Sequence, residues 1–463
     1  MSVKVDPAPG DRKWRTLAYV LIILIVAKVA ALLLAGPGGL ELDSLEYWNL
    51  SSQVLGGDVW MLEHPIAYRT PIYPWLLALI RLVAGTSALA AVVFVQGCLL
   101  VATVWMAGSL AVTISRRESA RVWTLSASLL AVSSITYGRA VLTEVPFAFL
   151  LMLHLVCQAA HSQRGSWAGG IASAGSLALC ILTRPIAMLL WIADLALLLM
   201  LKRARIGQLM VMAVVLLAML APWVVRNQHL FGKPALTEFM GRNLWIVTFQ
   251  GQAGAGLDLP SGPATQDLRL RIASLLESEE WRLTWSVSGA LVQSGLNDAE
   301  ADRAMLEVCR QAIAERPAHF AERAVRRIGN FWRCVPSHLP LSTDDPQLLA
   351  GQRGWHYPTS MAEWLEKSRL SRWVWINSIV AVTTVLSLVV LVWRAETRAW
   401  GLWCGLVLLY FSTITGLLEI PNYRYRMVVE PLMATVVGAA CALCSTKPAA
   451  NRLESVEETR AAS

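Results

Sequence analysis

"LAYVLIILIVAKVAALLLA", Leu17–Ala35, is followed almost at once by "GGLELDSLEYWNLSSQVLGG", Gly38–Gly57. The first stretch is long and apolar enough to cross a bilayer. The second turns abruptly polar and places acidic groups at the membrane edge. Lys13 and Arg15 precede the apolar run, which exceeds a typical signal-peptide core and has no convincing small-residue cleavage site. It therefore reads as a retained anchor. Within the polar stretch, Asp43 and Glu46 have the spacing of a capping box, which starts a helix cleanly. The same carboxylates could also do chemistry on a substrate at the interface. Both readings fit the local sequence.

The rest of the chain supports the membrane reading. Of its 463 residues, 56% are hydrophobic and 16% charged, with a mean hydropathy of +0.50. Soluble chains carry about a quarter charged residues. The net charge of +8 shows no basic patch of the kind that binds nucleic acid. Apolar runs lie near 15–35, 87–114, 122–137, 144–160, 168–183, 186–201, 206–224, 373–393, 400–418 and 427–444. Ten crossings put both termini on one side of the membrane. Arg116, Arg117, Arg121, Arg164, Lys202, Arg203, Arg205, Arg394 and Arg398 then fall in the same compartment as Lys4 and Arg12. Short basic loops mark the cytoplasmic side. Segment 36–86, with Glu41, Asp43, Glu46, Asp58 and Glu63, is external by the same rule.

The short apolar stretch 71–84 would invert every later loop if it crossed, so it reads as an interfacial helix anchored by Tyr73 and Trp75. The expected organisation is an N-terminal membrane module over 1–224, a long external loop over 225–372, C-terminal spans over 373–444 and a cytoplasmic tail over 445–463. The long loop opens with glycines and prolines and continues in amphipathic stretches such as Pro317–Trp332. Its arginines go against the charge rule, but long loops translocate largely regardless of charge. Cys309 and Cys334 share this loop, and a disulfide between them is compatible with an external location.

This topology gathers polar residues from separate turns on the external side: Asp43 and Glu46, Arg139 and Glu144, Arg184, Arg226, and Tyr423 with Arg424 and Arg426. Arginines clamp phosphate through paired charge-assisted hydrogen bonds. Carboxylates beside them can accept a proton or hold a metal. Each residue also has a bland reading. Asp43 and Glu144 suit helix N-termini, and the arginines could snorkel to lipid head groups. His64 reads most simply as a loop histidine, with a metal-ligand role as the rival.

The ordered segments "LDSLEYWNLSSQVL", "YRTPIYPWLLALI", "YGRAVLTEVPFAFLL", "LTRPIAMLLW", "APWVVRNQHLFGKPAL" with "GRNLWI", and "YRYRMVVEPLMA" span nearly the whole chain. In this order they resemble the integral-membrane glycosyltransferases of the GT-C superfamily, specifically the bacterial branch of glycosyltransferase family 39. That branch is similar to protein O-mannosyltransferases and lipid A aminoarabinose transferases. The resemblance implies an all-α polytopic fold with about ten transmembrane helices and interfacial helices in the first external loop. It also implies a bacterial inner-membrane enzyme that uses a polyprenyl-phosphate-linked sugar on the periplasmic face, with a glycan, lipid or protein as acceptor.

Asp43 and Glu144 match the family's catalytic acidic positions. Arg184, Tyr423, Arg424 and Arg426 match its donor-phosphate ligands. Glu46, His64, Arg69, Arg139 and Arg226 are secondary candidates. The aminoarabinose branch has Glu-Lys-Pro where this chain has Arg69-Thr70-Pro71, so the divalent metal suggested by that relative lacks its carboxylate here. The polymerases and ligases of lipid-linked oligosaccharides, flippases of lipid-linked sugars and a scaffold without activity are the rival functions.

Overall fold

The computed structural model describes residues 9–34, 36–40, 43–130, 137–250, 254–278, 280–333, 372–421 and 423–445. Throughout these residues the regular structure is helical, without a strand. Among the described residues a helix coincides with each apolar run in the sequence. These are α1 (Pro9–Leu34), α4 (Ala88–Ser115), α5 (Ser119–Leu130), α6 (Glu144–Arg164), α7 (Trp167–Ile181), α8 (Leu190–Met200), α9 (Ile206–Phe231), α15 (Arg372–Trp393), α16 (Arg398–Leu418) and α18 (Glu430–Cys444). Among the described residues, five helical segments are long and apolar enough to cross a membrane. The apolar helices at Trp167–Ile181, Pro185–Met200, Ile379–Trp393 and Glu430–Cys444 are shorter.

The outward faces of these helices are apolar. On α9, Met210, Val214 and Leu217 are 65%, 64% and 65% exposed and recur at helical spacing. A soluble protein rarely leaves such a stripe uncovered; in a bilayer it meets acyl chains. The inward faces pack one large core that includes Leu77, Phe147, Leu151, Trp403, Phe411 and Val436.

Polar side chains within this core are satisfied from neighbouring helices. His154 Nε2 lies 2.9 Å from Asp194 Oδ2, and Trp403 Nε1 donates to Asp194 Oδ1 at 3.2 Å. This links α6, α8 and α16 across an interior where an unpaired polar group would be costly.

Between α1 and α4 lie two short helices, α2 (Asp43–Leu55) and α3 (Ile72–Ala84). Tyr47 and Tyr73 meet edge to face at 5.1 Å, and Trp75 Nε1 bonds the Val59 carbonyl at 2.8 Å. Among the described residues of the long loop five helices follow: α10 (Met240–Phe249), α11 (Pro263–Ile272), α12 (Thr284–Gln293), α13 (Asp298–Glu315) and α14 (Pro317–Arg333).

Helices α10–α13 close a second core around Trp245, Phe249, Leu268, Leu291 and Met305. Asn297 and Glu300 form a capping box that starts α13. Arg242, buried at 1% exposure, ties the layer together by pairing with Asp298 and Asp302. Cys309 is buried in this core with its thiol 3.9 Å from the Gly241 carbonyl. Cys334 lies outside the described residues, as does the tail beyond Ser445.

The second core is joined to the loop after α2. The Ala67 N–H donates to Asp298 Oδ2 at 2.7 Å, and the Ala67 carbonyl accepts from the Glu238 N–H at 2.9 Å. On the other side of this loop, Thr70 Oγ1 donates to the Thr183 carbonyl at 3.0 Å, and the Ile72 N–H to the Leu182 carbonyl at 3.3 Å. Residues 67–72 are thereby held between the outer helices and the α7–α8 turn, which fixes the two side chains between them, Tyr68 and Arg69.

Candidate active site

Asp43 and Glu46 open the first turn of α2, where negative charge complements the helix dipole. Their side chains do more than favour the helix. Arg69 Nη2 donates to Asp43 Oδ1 at 2.7 Å, Arg69 Nε to Glu46 Oε2 at 2.8 Å, and Arg69 Nη1 to the Tyr47 hydroxyl at 3.0 Å. The Tyr68 hydroxyl donates to the other Glu46 oxygen at 2.5 Å. The Arg69 guanidinium also lies over the Tyr47 and Tyr68 rings, at 4.6 Å and 5.1 Å.

The second Asp43 oxygen is taken from a distant part of the chain. Arg424, on the short helix α17 (Tyr423–Met427), donates from Nη1 to Asp43 Oδ2 at 2.7 Å. Its Nε reaches Glu144 Oε1. Glu144, first residue of α6 and fully buried, also receives Arg184 Nη1 at 2.7 Å on that oxygen. Asp43, Arg424, Glu144 and Arg184 thus form a continuous alternation of charge. Its members come from α2, α17, α6 and the α7–α8 turn.

Among the described residues, Glu144 Oε2 has no hydrogen-bond partner although it is buried. Fully buried carboxylates persist only where partners offset their desolvation, and here two guanidiniums supply the offset through a single oxygen.

Electrostatics follow the geometry. Burial pushes the Asp43 carboxyl up, but the charges and hydrogen bonds of Arg69 and Arg424 outweigh it and hold the group well below the usual carboxylate range. Burial disfavours the Arg424 guanidinium, yet Glu144 and Asp43 hold its pKa above the ordinary arginine value. Burial together with the Glu46 carboxylate pushes the Tyr68 hydroxyl far up, so this phenol is a fixed donor and not a base. Arg184 is 19% exposed and commits Nη1 to Glu144. Its side chain has five donors in all, and those not spent on Glu144 suit an anion.

The other sequence candidates lie elsewhere. Arg139 Nε bonds the Gly36 carbonyl at 2.6 Å and fastens α1 to the turn before α6. Arg226 Nε bonds the Trp60 carbonyl at 3.0 Å, and its guanidinium lies over Trp223 at 4.5 Å. Arg426, fully buried, donates to the Trp332 carbonyl at 3.1 Å and pairs with Glu430 at 3.4 Å. Its described contacts are therefore with α14 and α18, not with Asp43 or Glu144. His64 is exposed in the loop after α2. The Tyr423 side chain lies outside the described residues.

Among the described residues, no group of three or more His, Cys, Asp or Glu side chains is placed to hold a metal ion. Each carboxylate of the cluster is bridged by guanidinium instead, a donor set that does not fit a divalent cation.

Sequence reasoning overlooked Glu419 and Tyr425. Glu419 follows the last residue of α16; burial pushes its carboxyl up to about 7, and Tyr425, Arg184 and Arg424 offset part of that rise. Arg184 lies over the Tyr425 ring at 5.7 Å. The available signal was an acidic residue at the end of an apolar run, two positions before Pro421.

No family model matches this sequence, and no curated protein does. Among solved structures, the chain is similar to the oligosaccharyltransferase of Archaeoglobus fulgidus in its apo form, at 11% identity and a TM-score of 0.47. That match covers 92% of this chain and 50% of the archaeal one, so the chain spans about half the length of that neighbour. The archaeal oligosaccharyltransferase AglB from Archaeoglobus fulgidus in complex with an inhibitory peptide and a dolichol-phosphate matches at 12% identity and a TM-score of 0.47, over 92% and 50% of the two chains. ArnT from Cupriavidus metallidurans bound to undecaprenyl phosphate matches at 13% identity and a TM-score of 0.39, over 91% of this chain and 78% of that one.

Proposed function

We propose that this chain is a membrane glycosyltransferase of the GT-C type, moving a sugar from a polyprenyl-phosphate donor to a cell-envelope acceptor on the external face. The observation that supports this most is the Asp43–Arg424–Glu144–Arg184 alternation. Residues from four distant points of the chain meet at one place, and Arg184, which commits Nη1 to Glu144, has further donors to offer. Breaking the bond between an anomeric carbon and a phosphate oxygen leaves negative charge on the lipid phosphate. Fixed guanidiniums stabilise that charge without reorganising. Arg184 and Arg424 are the residues we assign to the departing phosphate, while Asp43 and Glu144 hold both arginines in place and face the acceptor. A single displacement of this kind inverts configuration at the anomeric carbon.

The test is turnover by the purified protein in nanodiscs, using a panel of undecaprenyl-phosphate-linked hexoses and pentoses with envelope glycan and lipid fractions as acceptors. Asp43→Asn should lower kcat by about 10²-fold or more, the scale on which a lost electrostatic contact at a reacting centre is felt. Wild-type turnover by Asp43→Asn would remove Asp43 from the centre. Movement of the lipid-linked sugar across vesicles without bond transfer would replace the transferase reading with a flippase. Mass spectrometry of envelope glycans from a deletion strain would name the sugar and the acceptor.

A further inference from the structure

Tyr68 has two sets of neighbours. Its hydroxyl is bound to Glu46 of the charged cluster, and its ring lies among aromatic side chains of the outer helices. Phe239, the residue before α10, stacks on it with ring centres 5.1 Å apart and planes 24° from parallel. Trp285, in the first turn of α12, lies 5.6 Å from Tyr68 and 6.2 Å from Phe239. Both outer residues are fixed by their own elements. The Glu238 N–H bonds the Ala67 carbonyl, which ties the chain before Phe239 to the chain before Tyr68, and Val287 and Leu291 anchor α12 in the second core.

Of these rings, Trp285 is the open one. It is 51% exposed, whereas Tyr68 and Phe239 are half-buried. The Arg69 and Arg242 guanidiniums also crowd the Tyr68 ring, at 5.1 Å and 5.0 Å from its centre. The indole N–H groups of Trp75, Trp223 and Trp403 are each spent on a protein oxygen. Among the described residues, that of Trp285 has no such partner. The layer thus presents an aromatic face with a free donor at its edge, forgoing the burial from which so large a ring gains most.

Resting on the transferase reading above, we propose that Trp285, backed by Phe239 and Tyr68, is the subsite for a pyranose ring of the acceptor, so that the acceptor is a carbohydrate. The negative face of an aromatic ring attracts the weakly positive C–H groups on one side of a pyranose, and the indole N–H can donate to a sugar hydroxyl.

Position assigns the platform to the acceptor and not to the donor. Contacts run from Trp285 to Tyr68 at 5.6 Å, from Tyr68 to Arg69 at 5.1 Å and from Arg69 to Asp43 at 2.7 Å. The platform therefore joins the cluster at its Asp43 end. Arg184, with donors left for a phosphate, lies at the other end, beyond Arg424 and Glu144. A lipid chain suits the platform less well, because the rings run into the Glu46 and Arg69 charges. An acyl chain laid there would desolvate charge without pairing it.

The test uses the full chain in nanodiscs. Saturation-transfer NMR is recorded with gluco-, galacto- and manno-oligosaccharides and with envelope glycan fractions. Turnover of undecaprenyl-phosphate sugars is measured with the same acceptors. At least one oligosaccharide should take up saturation from the wild-type protein, and undecaprenyl phosphate should not displace it. Trp285→Ala should abolish the transfer and raise the acceptor KM by about tenfold, the scale of one lost aromatic contact with the area it buries. The donor KM and kcat should stay unchanged, as when binding common to ground and transition states is removed. Trp285→Phe, which keeps an aromatic face, should recover more affinity than Trp285→Leu, which keeps only apolar bulk.

Saturation transfer to no oligosaccharide overturns the assignment. So does a Trp285→Ala protein whose oligosaccharide signal and acceptor KM match wild type, or equal affinity in the leucine and phenylalanine variants. Uptake of saturation by peptides or acyl chains in place of oligosaccharides would give the face to another class of acceptor and overturn it too. The transferase reading fails separately: Trp285-dependent oligosaccharide binding without turnover from any donor would keep the glycan subsite and remove the reaction.

Discussion

Arg69 is the residue whose importance the sequence understated. It sits in the loop after α2, and its five-donor fork explains what an arginine does there. Nε, Nη1 and Nη2 reach Glu46, Tyr47 and Asp43 respectively, and the planar face lies on two tyrosines. An ammonium group can neither bridge those directions at once nor stack in the same way. Arg69→Lys should therefore lower kcat by at least about tenfold, roughly the effect of losing one charge-assisted hydrogen bond. It should also raise the pKa of Asp43, one of whose guanidiniums is gone. Kinetics and an NMR titration of the labelled carboxyl check this, and wild-type kinetics in the lysine variant would contradict it.

Asp43, Glu144, Arg184 and Arg424 could be singled out because hydropathy placed their turns on one side of the membrane. Arg426 could not be separated from Arg424 by that reasoning. Two residues along a short helix, its side chain is turned to Trp332 and Glu430. Glu419 escaped notice because local sequence does not show which groups surround the end of α16.

At the scale of elements, close helix approach carries the positions of these groups. Helix α18 runs against α5 with Gly438 at the contact, where an added Cβ would lie 2.7 Å from the Ala120 carbonyl oxygen and 2.0 Å from Thr124 Oγ1. Small residues let membrane helices pack backbone to backbone. Gly438→Ala must push α18 and α5 apart, at a cost of about 1–3 kcal/mol typical of overpacking. Thermal unfolding in detergent should register this as a lower Tm, whereas an unchanged Tm would show that the contact yields freely. The sequence located both helices from their apolar runs. It could not show which faces touch, because α18 is buried along nearly its whole length and its sequence marks no single contact face.

For the molecule as a whole, two cores and an intramembrane polar link must be kept apart from the chemistry. Asp194 accepts from Trp403 and pairs with His154 in the interior, and among the described residues it makes no ion pair with the charged cluster. An ionisable group within a membrane domain invites a functional reading, but each partner here is satisfied within the network. Asp194→Ala leaves the buried His154 and Trp403 donors unpaired, at about 1–3 kcal/mol for each group. The expected outcome is a lower Tm with kcat per folded molecule little changed. A specific loss of kcat with normal Tm would place His154 and Asp194 in the reaction.

Composition and periodicity by themselves determined that the chain is helical, that it is built for a bilayer, and where its apolar helices lie. Those properties follow from local solvation: each run of side chains answers to lipid or water without knowledge of the others. The order of polar turns also carried the expectation that Asp43, Glu144, Arg184 and Arg424 converge. Only the tertiary structure decided the pairing, with Arg424 spanning Asp43 and Glu144, and Arg69 holding α2 from the loop clamped between two layers. Pairing of buried charges depends on distances of a few ångströms between segments hundreds of residues apart. Such distances are set by how helices pack, which no single segment encodes.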